Sequence, residues 1–160
     1  MVEEKGKEQR LFLPITVSVL LNYSAGTYVG KFLEKLRDEG KLYGNKCPKC
    51  GRMVIPPRIV CGRCHVRMGE WVELSDKGTV IMFTVVEQDF WDCEKADFRK
   101  APYTHGIILL DGATVPIQHF LEETNVEKIR IGMRVQAVFK PKEKRQGHIL
   151  DIIHFKTIEE

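Results

Sequence analysis

The stretch CPKCGRMVIPPRIVCGRC, residues 47–64, constrains this chain more than any other. Two Cys-x-x-Cys pairs, Cys47/Cys50 and Cys61/Cys64, stand on either side of ten intervening residues. Gly51 follows the first pair and Gly62 splits the second, and glycine lets the backbone turn tightly enough for the thiolates to face one centre. Four thiolates at this spacing fit a tetrahedral metal site with no open coordination position. The expectation is a structural zinc site of the ribbon type. Iron in the same four-sulfur geometry satisfies the spacing equally. Disulfide pairing is the alternative, and it belongs to oxidising compartments.

The rest of the chain argues for a reducing one. It has 160 residues, 43% hydrophobic and 29% charged, a globular composition with enough apolar material for one ordinary core. Four of the five cysteines lie in the two pairs, which reads as metal ligation in the cytoplasm. No run is long enough for a membrane-spanning helix. Residues 11–21, LFLPITVSVLL, have the length of a secretory apolar region. Three Glu within the preceding VEEKGKEQR and the lack of a small-x-small site afterwards count against that role. Residues 11–23 read instead as an apolar arm, interrupted by Pro14, that packs on the domain or on a partner.

Three segments follow from the patterning: an arm and helix at 1–40, the ribbon at 41–70 and a β domain at 71–160. In the first, Tyr28, Val29, Phe32, Leu33 and Leu36 recur at helical spacing between Thr27 as N-cap and Gly40 as stop. Phe32 and Leu36 head the apolar face and are expected to meet a partner. In the second, Lys41–Tyr43 leads into the first Cys pair, and Val54-Ile55 is strand-like before Pro56-Pro57. So small a module has almost no core, so its folding free energy should come largely from the metal.

In the third, strands are expected at Trp71–Leu74, Gly78–Glu87, Tyr103–Asp111, Ala113–Leu121, Arg134–Phe139 and His148–Phe155. Asp111-Gly112 marks a hairpin turn, and Thr124 with Glu127 fits a capping box closed by Gly132. Strands in this number with one short helical turn make a small Greek-key barrel, of which the OB-fold is the best-known example. The fold class is therefore mainly β with an N-terminal helix: a four-cysteine ribbon followed by a small OB-fold barrel.

The loop at 88–102 carries Phe90, Trp91, Asp92, Cys93 and Phe98. Aromatics on a loop this long suggest a binding or lid element, with Phe90 and Trp91 as partner or substrate contacts; the alternative is that they fold back on the barrel. Cys93 makes a poor nucleophile, because flanking Asp92 and Glu94 raise its pKa. His65, His105 and His119 read as surface or structural histidines.

The stretches FLEKLRDEGKLYGNKCPKCGRMVIPPRIVCGRC, WVELSDKGTVIMFTVV, APYTHGIILLDGATVPIQHF and KIRIGMRVQAVF together resemble a two-module family. That family joins a rubredoxin-like zinc ribbon to an acyl-CoA-associated OB-fold. The resemblance implies a non-catalytic accessory subunit, in complex with a thiolase-superfamily enzyme or with a hydratase or aldolase acting on acyl-CoA. The partner would hold the catalytic residues, and this chain would complete or cover the channel for a CoA thioester. The arm and the aromatic loop depart from the family core. They would suit a specialised partner, such as a benzoylsuccinyl-CoA-type thiolase.

Single-stranded nucleic-acid binding is the competing reading, since ribbons and OB-folds both serve it. It is disfavoured by a net charge of only +3 and by basic residues that look scattered, with Lys140–Arg145 broken by Glu143.

Overall fold

The computed structural model describes residues 23–92 and 97–159. Residues 11–22 of the expected arm, and Cys93, lie outside the described residues.

Helix α1 (Gly26–Glu39) opens on Ala25 without a side-chain cap, and Thr27 sits inside its first turn. Ser24 takes the capping place in part, its Oγ accepting the Gly26 N–H at 3.2 Å. The helix stops where the sequence indicates: Gly40 adopts φ 68° and donates its N–H to the Leu36 carbonyl at 3.1 Å. Its apolar face does not wait for a partner. Phe32 and Leu36 are 1% and 0% exposed and belong to the chain's own core, with Leu42, Ile55, Leu110 and Ile152. The expectation that they contact a partner is corrected. An amphipathic helix buries its apolar stripe against the nearest apolar surface, and here that surface is intramolecular.

Three short strands follow in one sheet, ordered β2-β1-β3: β1 (Leu42–Lys46), β2 (Met53–Val54) and β3 (Trp71–Leu74). The last of these was expected to open the barrel. It pairs antiparallel with β1 instead, from Leu42↔Leu74 to Asn45↔Trp71. Fully buried Asn45 then fixes the Pro56-Pro57 loop by bonding both backbone groups of Arg58, at 2.6 and 3.3 Å.

Strand β4 (Lys77–Val86) leads to a hairpin of β5 (Phe90–Asp92) and β6 (Asp97–Arg99). The chain returns through β7 (Tyr103–Leu110), β8 (Ile117–Leu121), β9 (Arg134–Phe139) and β10 (Ile152–Thr157). Five strands close a barrel in the order β10-β8-β7-β4-β9. Alternation is clean in β7, where Thr104, Gly106, Ile108 and Leu110 point inward. Val80, Ile108, Val135, Ile152 and Phe155 fill the interior, and burying each stabilises the fold by about 1.5–3 kcal/mol. Gly78 permits the β4–β7 approach, since a Cβ there would lie 2.6 Å from the Leu109 carbonyl oxygen.

Two local expectations change. Asn125, not Thr124, caps the turn before β9, its Oδ1 accepting the Glu127 N–H at 2.9 Å. Residues Ile149–Asp151 form a 3-10 turn, and the last strand starts only at Ile152. The cause is Asp151, 0% exposed, whose carboxylate accepts the N–H groups of Gln146, Gly147 and His148 at 2.9, 2.7 and 3.1 Å and curls the chain around itself.

Ribbon and barrel share one core. Met53 and Ile55 join the barrel cluster, and Thr114 bonds Met53 on both backbone sides, at 2.9 and 3.0 Å. The ribbon also keeps a small cluster of its own, with Val54 and Met68 packed around Cys47 and Cys61. Among the described residues no helix is long and apolar enough to cross a membrane.

Candidate functional site

Each cysteine pair forms a tight knuckle. In the first, Gly51 donates its N–H to the Cys47 carbonyl at 2.9 Å; in the second, His65 donates to Cys61 at 2.9 Å. Gly51 and His65 occupy the same position and both have positive φ, 70° and 55°. Thus the second knuckle's left-handed residue is His65, and Gly62 is not the one that needs glycine's freedom. His65 is exposed and stands outside the sulfur cluster.

The four Sγ atoms of Cys47, Cys50, Cys61 and Cys64 lie within 4.8 Å of one another. The Cys50–Cys61 separation is 3.8 Å, which matches the sulfur–sulfur edge of about 3.8 Å in a tetrahedron with metal–sulfur bonds near 2.3 Å. Backbone N–H groups of Arg63 and Cys64 aimed at the Cys61 sulfur hold that thiol down at about 6. The Cys50 thiol, hydrogen-bonded to Cys64, pushes Cys64 up to about 12, with burial adding to the effect. Four sulfurs this close cannot all ionise without a cation between them, so the donor set fits zinc or a similar soft divalent ion. Such an ion would be held by these four side chains and would supply structure, since all four positions of a tetrahedral centre are taken.

The β5–β6 hairpin is two-faced. Its register pairs Phe90 with Arg99 and Trp91 with Phe98, and strand periodicity puts the two pairs on opposite sides. Phe90 and Arg99 turn toward the barrel, over a cleft of about 470 Å³ lined also by Tyr103, His105, Phe120 and Ile149. Trp91 and Phe98, 46% and 48% exposed, meet edge to face at 5.1 Å on the outside. Inside the cleft the His105 and Phe120 rings lie 4.5 Å apart. Gln118 Nε2 donates to His105 Nδ1 at 3.2 Å. Burial, and then the Arg99 charge, depress the His105 pKa below 6.5, so its ring is neutral at pH 7.

Comparison with known proteins agrees with this geometry. The rubredoxin-like zinc ribbon domain of ChsH2 matches residues 35–69, and the C-terminal OB-fold domain of ChsH2 matches residues 71–140. The chain is 37% identical over 101 residues to a DUF35 domain-containing scaffold protein of Methanocaldococcus jannaschii, covering 62% of this chain and 67% of the relative. It is 30% identical over 110 residues to a scaffold protein of the same description from Pyrococcus furiosus, covering 69% and 76%. This chain belongs to the DUF35-domain scaffold family.

Solved structures share the DUF35 fold at lower identity. A Sulfolobus solfataricus DUF35 protein of unknown function superposes with a TM-score of 0.57 at 19% identity, covering 82% of this chain and 84% of that one. A chain of the Ltp2-ChsH2(DUF35) aldolase does so with a TM-score of 0.57 at 20% identity, covering 77% and 92%.

Of the residues named from sequence, the DUF35 fold brings the four cysteines together and leaves Phe90 exposed at the cleft and Trp91 on the outer hairpin face. It removes Phe32 and Leu36 to the core. His119 is buried at 3% exposure in β8, with Nε2 3.3 Å from the Ile149 carbonyl oxygen and Nδ1 without a partner among the described residues. Arg99, Tyr103 and Phe120 were not anticipated. The signal for Tyr103 and His105 was their shared outward parity on β7. Nothing local in the sequence places Phe120 or Ile149 beside them.

Proposed function

We propose that this DUF35 chain is a non-catalytic accessory subunit of a thiolase-superfamily acyl-CoA enzyme, working in a cytoplasmic hetero-oligomer and completing or covering the partner's acyl-CoA channel. Its family is one of scaffold proteins, and one structural neighbour is a chain of the Ltp2-ChsH2(DUF35) aldolase. The observation that carries the reading is the two-faced hairpin. It offers the exposed Trp91–Phe98 pair outward while its other face roofs the cleft. Aromatic pairs of this kind are typical interface anchors, and the closed four-thiolate centre has no position for substrate. The cleft would receive part of the CoA thioester once the partner is docked.

Co-expression with thiolase-superfamily enzymes of the same organism tests this. The chain should co-elute with one of them and show no turnover alone. The double variant Trp91→Ala/Phe98→Ala should weaken the complex while leaving zinc content and the circular dichroism spectrum unchanged. Separate elution from every such enzyme, or acyl-transfer activity in the isolated chain, would overturn the reading.

A further inference from the structure

Residues 41–69 contain seven Lys or Arg and not one Asp or Glu. The basic residues that looked scattered along the chain are therefore concentrated in the ribbon, and the rest of the chain carries a net negative charge. A zinc tetrathiolate contributes only about −2, so the module stays cationic when loaded.

Most of these charges are not absorbed internally among the described residues. Lys41 pairs with Glu73 at 2.8 Å. Lys46, Lys49, Arg52, Arg58 and Arg63 take part in no ion pair among the described residues. All but half-buried Arg52 are exposed.

The fold also holds them in place. Lys49 and Arg63 precede the second cysteine of their respective knuckles and are both exposed, so each knuckle carries one cation at the equivalent position. Arg58 stands on backbone clamped by Asn45. Next to it in sequence, Ile59 and Val60, 58% and 45% exposed, supply apolar surface. Like charges gathered on a rigid module repel one another, and they are tolerated where an opposite charge is to be met.

We infer that the ribbon is a second docking surface, separate from the hairpin, whose occupant is an acidic protein segment with an apolar residue set among its carboxylates. This rests on the reading of the chain as a subunit of a larger enzyme, which supplies such a segment. A nucleic acid is the other polyanion to consider. Single strands are held by aromatic stacking along a basic groove, and residues 41–69 include one Phe, Tyr or Trp, the half-buried Tyr43, whose hydroxyl donates to Glu39 at 2.8 Å. The exposed apolar pair at Ile59 and Val60 suits a protein side chain and not a phosphate backbone.

The test uses the zinc-loaded full chain and three probes: a twelve-residue Glu-rich peptide with a central Leu pair, the same peptide with Glu in place of Leu, and an oligo-dT of similar charge. The Leu-containing peptide should bind best, with affinity falling as salt rises. The all-Glu peptide should bind several-fold more weakly. Lys49→Glu/Arg63→Glu, with zinc content unchanged, should weaken the Leu-containing peptide at least about tenfold, consistent with exposed charges screened beyond about 8 Å at physiological salt. Oligo-dT binding as tightly as the peptide, or peptide binding indifferent to salt and to the charge reversal, overturns the inference. Because these measurements need no enzyme, they fail or succeed independently of co-elution, which tests the subunit reading itself.

Discussion

The guanidinium carbon of Arg99 lies 4.1 Å from the centre of the Phe120 ring, while its Nη2 bonds Asp92 at 3.2 Å. One side chain thereby ties the β5–β6 hairpin both to itself and to the barrel wall. Stacking of this kind contributes about 0.5–2 kcal/mol, small against global stability and large for a short hairpin. Arg99→Ala should speed amide exchange in Phe90–Asp92 and Asp97–Arg99 by about tenfold while barrel amides are unchanged, since about 1.4 kcal/mol corresponds to tenfold. Equal protection in both proteins would show that the hairpin is held by something else.

Phe32 separates a core helix from a docking helix. Phe32→Ala should cost about 3–5 kcal/mol in urea unfolding of the isolated chain, as for a large side chain removed from a packed interior. A helix face reserved for a partner would give a near-neutral result without the partner.

The sulfur cluster predicts about one zinc per chain, measured by elemental analysis, and Cys61→Ser should lose it. Chelation should unprotect the amides of the two knuckles first. Barrel amides should persist longer, because Val80, Ile108 and Phe155 do not depend on the metal for their packing. A coloured, redox-active preparation would point to iron.

Burial pushes the Asp151 carboxyl up, but the backbone N–H groups of His148, Gln146 and Gly147 outweigh it and hold its pKa below 3.8. A depressed carboxylate stabilises the fold above its unfolded pKa, and that stability is lost as pH falls below about 4. Asp151→Ala should cost about 3 kcal/mol, since it removes the acceptor of three backbone N–H groups in a part-buried turn, and should flatten the acid limb of the denaturation curve below pH 4. An unchanged acid limb would remove Asp151 from that role.

His119 works at higher pH. Burial depresses its pKa below 6.5, against the opposing bond to the Ile149 carbonyl. The unfolded chain then binds more protons than the folded one as pH drops below 6.5, so stability falls on acidification and levels off below the folded pKa. With zinc in excess, His119→Gln should reduce the slope of stability against pH between 7 and 5. His105, depressed in the same direction, should leave part of that slope in place. Identical slopes in the two proteins would exclude His119.

Much of the architecture was legible because it is written in local chemistry. Gly40 ends its helix through a left-handed backbone, φ 68°, that favours glycine. The outward and inward residues of β7 follow from strand periodicity. What misled was partner choice. Trp71–Leu74 has the pattern of a strand, but nothing in those four residues says that β1 and not the barrel will bond them. His148–Asp151 has a strand-like composition, yet one buried carboxylate bends it into a turn. The concentration of cations between residues 41 and 69 was visible in the sequence. Only the tertiary structure shows that five of them, Lys46, Lys49, Arg52, Arg58 and Arg63, take part in no ion pair among the described residues.

By itself the sequence determined the four-sulfur cluster. Four cysteines at this spacing leave the backbone few ways to avoid bringing their sulfurs together, and the fit of a cation follows from the ligand chemistry. Tertiary structure decided where everything else faces. Phe32 and Leu36 went inside because an intramolecular apolar surface lay nearer than any partner. Phe90 and Trp91, neighbours in sequence, went to opposite faces of one hairpin because strand geometry alternates. The cleft beneath them exists only because Arg99, Tyr103 and Phe120 come from three different strands, and no local pattern encodes that meeting.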